Sequence, residues 1–414
     1  MNILYIACSC SPYHGSEDKI GWNIPLEAAK NNRVFVITRG SQRKYIQQYT
    51  QQNVLENLSF QYVSLNPALE RVLRILPFSV RLNLWNQKAI KLAKEICRTE
   101  NIAVVHQITP IEFRSIGNYG KIPNVKFVCG PVAGGQSIPK ALMSYAGSNI
   151  WVEHIRTCIN RGWRCVYRLS GKLKQCDVLL FANEETKAYL SNQSVAPADC
   201  CVLPDVCIGS NDLVDPAETK EKQNGKCVFL VVGRLAYLKG HALLLDALAR
   251  IPKDLDFECR IVGAGAEKKR LQKTCERYNL ESKVTFVGEI PYTEISQAYR
   301  QANVFVMPSL REATGSVLLE AMAKGLPVVT INRFGAATIL DESTGWLYDG
   351  QTQEEIVAGL QEILVSCINK PDEVRRKGRN ARILAEKHTW EERVNCYQAI
   401  YERVIEHAQE TRKR

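Results

Sequence analysis

Short apolar runs rich in β-branched residues alternate along this chain with longer segments whose apolar positions recur every three or four residues. The first pattern predicts buried strands and the second predicts amphipathic helices. In the first half, strands are expected at Ile3–Cys8, Arg33–Thr38, Ser59–Val63, Val104–His106, Val125–Cys129 and Val178–Phe181, with a helix over 19–30. A second series follows at Val228–Val232, Phe257–Val262, Val284–Val287, Asn303–Met307 and Val328–Ile331. Helices are expected to open near Lys239, Ala266, Thr293 and Ser316. Strand–helix alternation of this kind predicts an α/β protein with doubly wound parallel sheets. Residues 209–226 are polar, contain Pro and Gly and have no period, which marks a linker. The expected organisation is therefore a domain over 1–208, the linker, a domain over 227–387, and a closing helix within 388–414 that packs across both. Two such domains would leave a cleft faced by the strand ends of each, a favoured place for a small molecule.

Composition adds bounds. The 414 residues are 45% hydrophobic and 23% charged, as expected of an ordinary soluble globular protein. No apolar run approaches the ~18 residues of a membrane span. The apolar start Asn2–Cys8 has no basic segment before it and is too short for a signal peptide. Fifteen cysteines, an odd number, are scattered without paired or metal-ligand spacing, and Cys129, Cys227 and Cys259 sit in apolar runs. That usage suits thiols in a reducing cytoplasm and no metal.

Charge is distributed unevenly. Residues 1–208 hold 24 Lys and Arg against 14 Asp and Glu, whereas the remainder holds 30 against 29. A basic first half suggests an anionic partner there. Leu69–Lys94 and Trp151–Lys174 mix large apolar residues with bases. Each reads as a basic amphipathic helix lying on an anionic membrane surface, the inner face for a cytoplasmic protein, or as a packed helix with a solvated basic face. No nucleic-acid-binding module accompanies them, so nucleic acid is not an expected partner.

The stretch Asn303–Ile331 concentrates candidate chemistry. It reads strand, polar loop, helix, strand, a βαβ unit whose ligands bind at the carboxyl ends of the strands. Gly315 is placed to start the helix, Gly325 and Pro327 to end it. The amides of Ser316, Val317 and Leu318 would then be open, and with the helix dipole they would favour an anion such as phosphate. Glu320 would lie roughly 6 Å along the axis from Ser316, at about 1.5 Å per residue, within reach of a ribose. Glu312, on the loop, would face what the diphosphate carries. Taken alone, the two acids read equally well as a loop carboxylate and an ordinary helical Glu.

Earlier in the second half, Gly233-Arg234-Leu235-Ala236-Tyr237-Leu238-Lys239-Gly240 follows a strand and opens a helix. Arg offers a planar two-pronged phosphate contact and Lys a mobile point charge. Gly263-Ala264-Gly265 is an incomplete dinucleotide-type turn. Asp254-Leu255-Asp256 precedes its strand and so lies at the wrong end of the sheet for a metal site.

In this order, GRLxxLKG, IVGAGA, VTFVGEI, VFVMPSxxEATGxxLLEAMAxGLPVV and TGWLY resemble family 4 of the retaining, nucleotide-sugar-dependent glycosyltransferases. In the first half the resemblance extends to Ser11–Glu17, Val105-His106-Gln107 and Gly130–Gly135. It implies the GT-B fold, two Rossmann-like domains with the donor held mainly by the second. It further implies Arg234 and Lys239 on the donor diphosphate, Glu320 on the ribose, Glu312 on the transferred sugar, and backbone at Gly288–Ile290 against the base. Gly15 would approach the phosphates, and Gly263, Gly315 and Ser316 would complete the donor site. The catalytic set is then Glu312, His106, Arg234 and Lys239, with no metal and no cofactor beyond the donor. In the family's HxH pattern the second position is Ile108 here, leaving His106 as the candidate. The implied acceptor is a glycan or polyprenyl-diphosphate-linked saccharide in cell-surface polysaccharide assembly. The rival classes are a GT-B epimerase or phosphorylase and a non-catalytic membrane-associated scaffold.

Overall fold

The computed structural model describes residues 1–13, 15–66, 78–191, 197, 199–214 and 225–413. The chain forms two compact units. One comprises Met1–Gln136, Thr157–Val206 and Trp390–Arg414, the other Ser137–Arg156 and Cys207–Thr389. The division is not serial, because Ser137–Arg156 leaves the first half to join the second unit. There Ile138, Leu142, Tyr145 and Ala146 enter the core beside Leu243 and Leu244. Tyr145 OH donates to Asp246 Oδ2 at 2.6 Å.

The first unit is built on β1 (Asn2–Ala7), β2 (Arg33–Arg39), β3 (Leu58–Val63), β4 (Val104–Thr109), β5 (Lys126–Val132), β6 (Val178–Phe181) and β7 (Cys200–Val202). They form one parallel sheet in the order β3-β2-β1-β4-β5-β6-β7. The second unit has β8 (Cys227–Val232), β9 (Phe257–Val262), β10 (Val284–Gly288), β11 (Val304–Met307), β12 (Val328–Ile331) and β13 (Gly345–Tyr348). Its order, β10-β9-β8-β11-β12-β13, repeats the same winding, again all parallel. Every residue of β4, β11 and β12 is buried. Continuous apolar runs are what a sheet covered by helices on both faces requires. In each sheet the strand order reverses once, between β1 and β4 and between β8 and β11. Ligands of open α/β sheets bind at such reversals.

The helices explain the two basic stretches differently. Of Leu69–Lys94, residues 67–77 lie outside the described part. The helix Phe78–Thr99 buries Leu82, Trp85, Ala89, Ala93 and Ile96 and turns Lys88, Lys91 and Lys94 outward, so its described part is a packed helix with a solvated face. The helix Ile150–Ser170 does the reverse with part of its apolar surface. Trp151 is 63% and Leu169 87% exposed, with Ile155, Ile159 and Val166 also exposed. Of the expected linker, residues 215–224 are outside the described part; Val214 N–H before it donates to Ala323 C=O at 3.1 Å. The closing helix, Trp390–Lys413, belongs to the first unit, where Tyr397 and Tyr401 are buried.

Candidate active site

The loops that matter leave β8 and β11, the two strands flanking the reversal in the second sheet. After β8 comes Arg234, exposed and without a carboxylate partner among the described residues. A 3-10 turn, Tyr237–Lys239, leads to Gly240, whose φ of +67° and near contact with the Pro308 carbonyl exclude a side chain. Gly240 thereby lets the β8 loop lie on the β11 loop, and Leu310 N–H donates to Leu238 C=O at 2.8 Å.

That close packing brings two candidate residues together. Lys239 Nζ pairs with Glu312 Oε2, each side chain only partly covered. Gly315 caps the helix Ser316–Ala323 at φ +92°, and a Cβ there would lie 3.2 Å from Met307 Sδ and 3.3 Å from Glu312 Cγ. The positive φ thus favours glycine, and any side chain there would press on Glu312. The helix begins where its sequence indicates, with one correction. Leu318 N–H donates to Gly315 C=O at 3.1 Å, so only the Ser316 and Val317 amides of the three stay open for an anion. One turn further, Glu320 Oε2 accepts from Tyr299 OH at 3.0 Å and faces a small cavity lined also by Ser296, Ile295, Asp212 and Lys324. Gly263 N–H donates to Gly288 C=O at 2.7 Å, which sets the β9 and β10 loops, and Ile290 after them, along the same carboxyl edge.

Further polar groups converge here. Arg311, beside Glu312, is held by Glu153, and so is Tyr237. His241 is buried beside Lys239, and burial first, then the Lys239 charge, lowers its pKa to about 4. The ring is therefore neutral at physiological pH and adds no charge of its own. Sequence reading missed Glu153 because its only local context is a basic helix; its partners lie 84 and 158 positions away.

Gly15 and His106 belong to the first unit. Gly15 caps the helix Ser16–Ala28 with φ +46° after β1. His106 requires a correction. Strand β4 runs on to Thr109, so His106 lies mid-strand rather than at the carboxyl end. It is fully buried, with Nδ1 2.6 Å from Tyr401 OH and Nε2 2.8 Å from Gly130 C=O. Both ring nitrogens serve the core and neither is open to a substrate, which removes His106 from the catalytic set.

Burial lowers the His106 pKa from 6.5 to about 3. The unfolded chain thus binds a proton that the native protein refuses. Its contribution to stability is complete above pH 6.5 and declines by up to about 1.4 kcal/mol per unit as pH falls towards 3. Urea midpoints measured from pH 7 to 4 should show a steeper loss for the parent than for His106→Gln. Parallel curves would contradict this assignment.

Comparison with known proteins identifies the second unit's motifs. The family model described as Glycosyl transferases group 1 matches residues 216–381. Arg234, Lys239, Glu312 and Glu320 all fall inside it. An uncharacterized glycosyltransferase of Methanocaldococcus jannaschii is 26% identical to the chain over 243 residues, 57% of this chain and 60% of that protein. The amylovoran biosynthesis glycosyltransferase AmsD of Erwinia amylovora is 34% identical over 138 residues, 33% of this chain and 38% of its own length. Among solved structures, Anabaena HepE in complex with UDP matches with a TM-score of 0.62 at 17% identity, covering 96% of this chain and 98% of that one. This likeness shows the fold: the glycosyl transferase domain and the first unit are the two Rossmann-like domains of the GT-B class.

Proposed function

We propose that this protein is a retaining, metal-independent glycosyltransferase of family 4 that takes its sugar from a nucleoside-diphosphate donor. The observation that carries this reading is the meeting of Lys239 and Glu312 in the loops flanking the strand reversal of the glycosyl transferase domain. The UDP bound to HepE supports the donor class, and the biosynthetic role in AmsD's name supports a glycan acceptor; the acceptor hydroxyl of this proposal lies on a glycan or polyprenyl-diphosphate-linked saccharide.

Breaking the sugar–phosphate bond moves an electron pair onto the departing diphosphate. Arg234, Lys239 and the Ser316 and Val317 amides supply fixed positive charge for it, the kind of preorganised stabilisation that dominates many enzymatic rate enhancements. Each charge-assisted hydrogen bond contributes about 1.5–3 kcal/mol. As Lys239 turns to phosphate, Glu312 is released to accept from sugar hydroxyls and fix the ring. The acceptor hydroxyl attacks the face the diphosphate leaves, its proton passes to the departing phosphate oxygen, and configuration is kept. Glu320 accepts from the ribose, backbone at Gly288–Ile290 borders the base, and Gly263 allows close approach. Radiolabelled nucleotide sugars, incubated with chelator, test the reading. Acceptor-dependent release of label supports it, whereas an isomerised donor, release to free phosphate or no reaction at all would point to the rival classes.

On the acceptor side, the proposed site of action is the inner face of a membrane. No helix among the described residues is long and apolar enough to cross one. Support for surface binding comes from the helix Ile150–Ser170, whose exposed apolar residues run with exposed Arg161 and Arg168; Arg164 instead stacks over Tyr189 at 5.3 Å. An apolar stripe bordered by bases suits the interface of an anionic bilayer, where each base adds about 1 kcal/mol. Co-sedimentation with anionic vesicles is expected, fading as salt rises and falling sharply for Arg161→Glu/Arg168→Glu. Equal recovery with neutral and anionic vesicles would rule this surface out.

A further inference from the structure

One carboxylate ties together the two loops of the donor site, and no motif marks it. Glu153 lies in the first turn of the helix Ile150–Ser170, within the segment Ser137–Arg156 that belongs to the second unit. Its side chain is only 4% exposed. A single oxygen, Oε1, accepts from Tyr237 OH at 2.8 Å and from Arg311 Nη2 at 2.9 Å. Tyr237 opens the turn that ends at Lys239, and Arg311 immediately precedes Glu312. The two residues that pair in the site are therefore each flanked by a residue fixed on Glu153.

The surroundings make this fixing rigid. Ile138, Leu142, Tyr145 and Ala146 bury the segment in the second unit's core. Ser144 Oγ donates to Gln353 Oε1 at 2.7 Å, and Tyr145 OH to Asp246. Arg311 Nε, buried, has no acceptor among the described residues, so Glu153 supplies the guanidinium's carboxylate. Burial, then the hydrogen bond to Glu153, raises the Tyr237 pKa, which keeps its phenol protonated and donating. A buried ion pair of this kind is a weak source of net stability. Displacing a reacting group by about 1 Å, however, costs about a hundredfold in rate.

We propose that Glu153 is a positioning residue for sugar transfer, holding Tyr237 and Arg311 so that Lys239 and Glu312 keep the spacing that diphosphate and sugar require. This rests on the reading of Lys239 and Glu312 as donor ligands. The role is read from kcat and KM with a donor the parent turns over, alongside UDP affinity and melting temperature, for Glu153→Ala, Glu153→Gln and Tyr237→Phe. Glu153→Ala is expected to lower kcat about 30–100-fold with KM within about threefold of the parent, because the ligands stay present but misplaced. Glu153→Gln, whose amide oxygen still accepts both donors, should recover most of that loss. Tyr237→Phe should lower kcat about 3–10-fold at the parent's melting temperature, since it removes one hydrogen bond and keeps the ring. Parent-like kcat in Glu153→Ala, or loss that merely follows a lowered melting temperature, overturns the proposal. Should Glu153→Ala fail to fold, parent-like kcat in Tyr237→Phe overturns it equally. Unchanged turnover in Glu312→Ala would instead overturn the donor-site reading beneath it.

Discussion

Glu312→Ala is expected to lower kcat by about a hundred- to a thousandfold while the protein still folds and still binds nucleoside diphosphate. Two effects combine. The carboxylate lies against Lys239 and beside Gly315 at the helix start, where the transferred sugar would sit. Its removal leaves the sugar without an orienting acceptor. It also frees Lys239 from the ion pair that parks it between the loops. Stability should change little, because both side chains are partly solvated and such pairs contribute about 0–1 kcal/mol. The expected signature is a fall in kcat with a nearly constant dissociation constant for the nucleotide. A variant with parental kcat would leave Glu312 as a loop carboxylate with no catalytic part.

Arg234→Ala is expected to act on binding first. Arg234 is exposed at the end of β8 and pairs with no carboxylate among the described residues, so its charge is available to a diphosphate at no cost of breaking an internal pair. A two-pronged guanidinium–phosphate contact contributes about 1.5–3 kcal/mol, which corresponds to about 10–150-fold in affinity. Arg234→Lys should restore only part of it, since an ammonium cannot reproduce the fork. The loss should carry into kcat as well, because the same contact strengthens when charge develops on the leaving group.

Much of the fold could be read from the chain because parallel strands covered on both faces are nearly unbroken apolar runs. Val178–Phe181, Phe257–Val262 and Val328–Ile331 appear in the structure with the expected limits. The edge strands were not visible in this way. Cys200–Val202 is three residues long and only half-buried, and Gly345–Tyr348 is short and begins with glycine. The end of β4 was misjudged because Gln107 and Thr109 interrupt the apolar pattern, although both are buried in the sheet. His106 is a candidate only through the family's HxH pattern, which carries no information about its burial. In the second unit, Glu312, Gly315 and Glu320 share one βαβ motif, so their proximity is legible there, whereas the approach of Lys239 to Glu312 joins two separate motifs. The Glu153 contact depends on a segment crossing from one half of the sequence to the other unit. Nothing local encodes such a crossing.

The central claim is that the carboxyl edge of the second sheet, at the β8–β11 reversal, is a nucleoside-diphosphate site. Calorimetric titration tests it most directly, with UDP, GDP and ADP added in turn to the parent, Arg234→Ala and Glu320→Ala in the presence of excess chelator. One nucleotide should bind the parent without metal, and each substitution should weaken it by about tenfold or more. Binding that disappears with chelator, or that both variants retain at parental strength, would contradict the account.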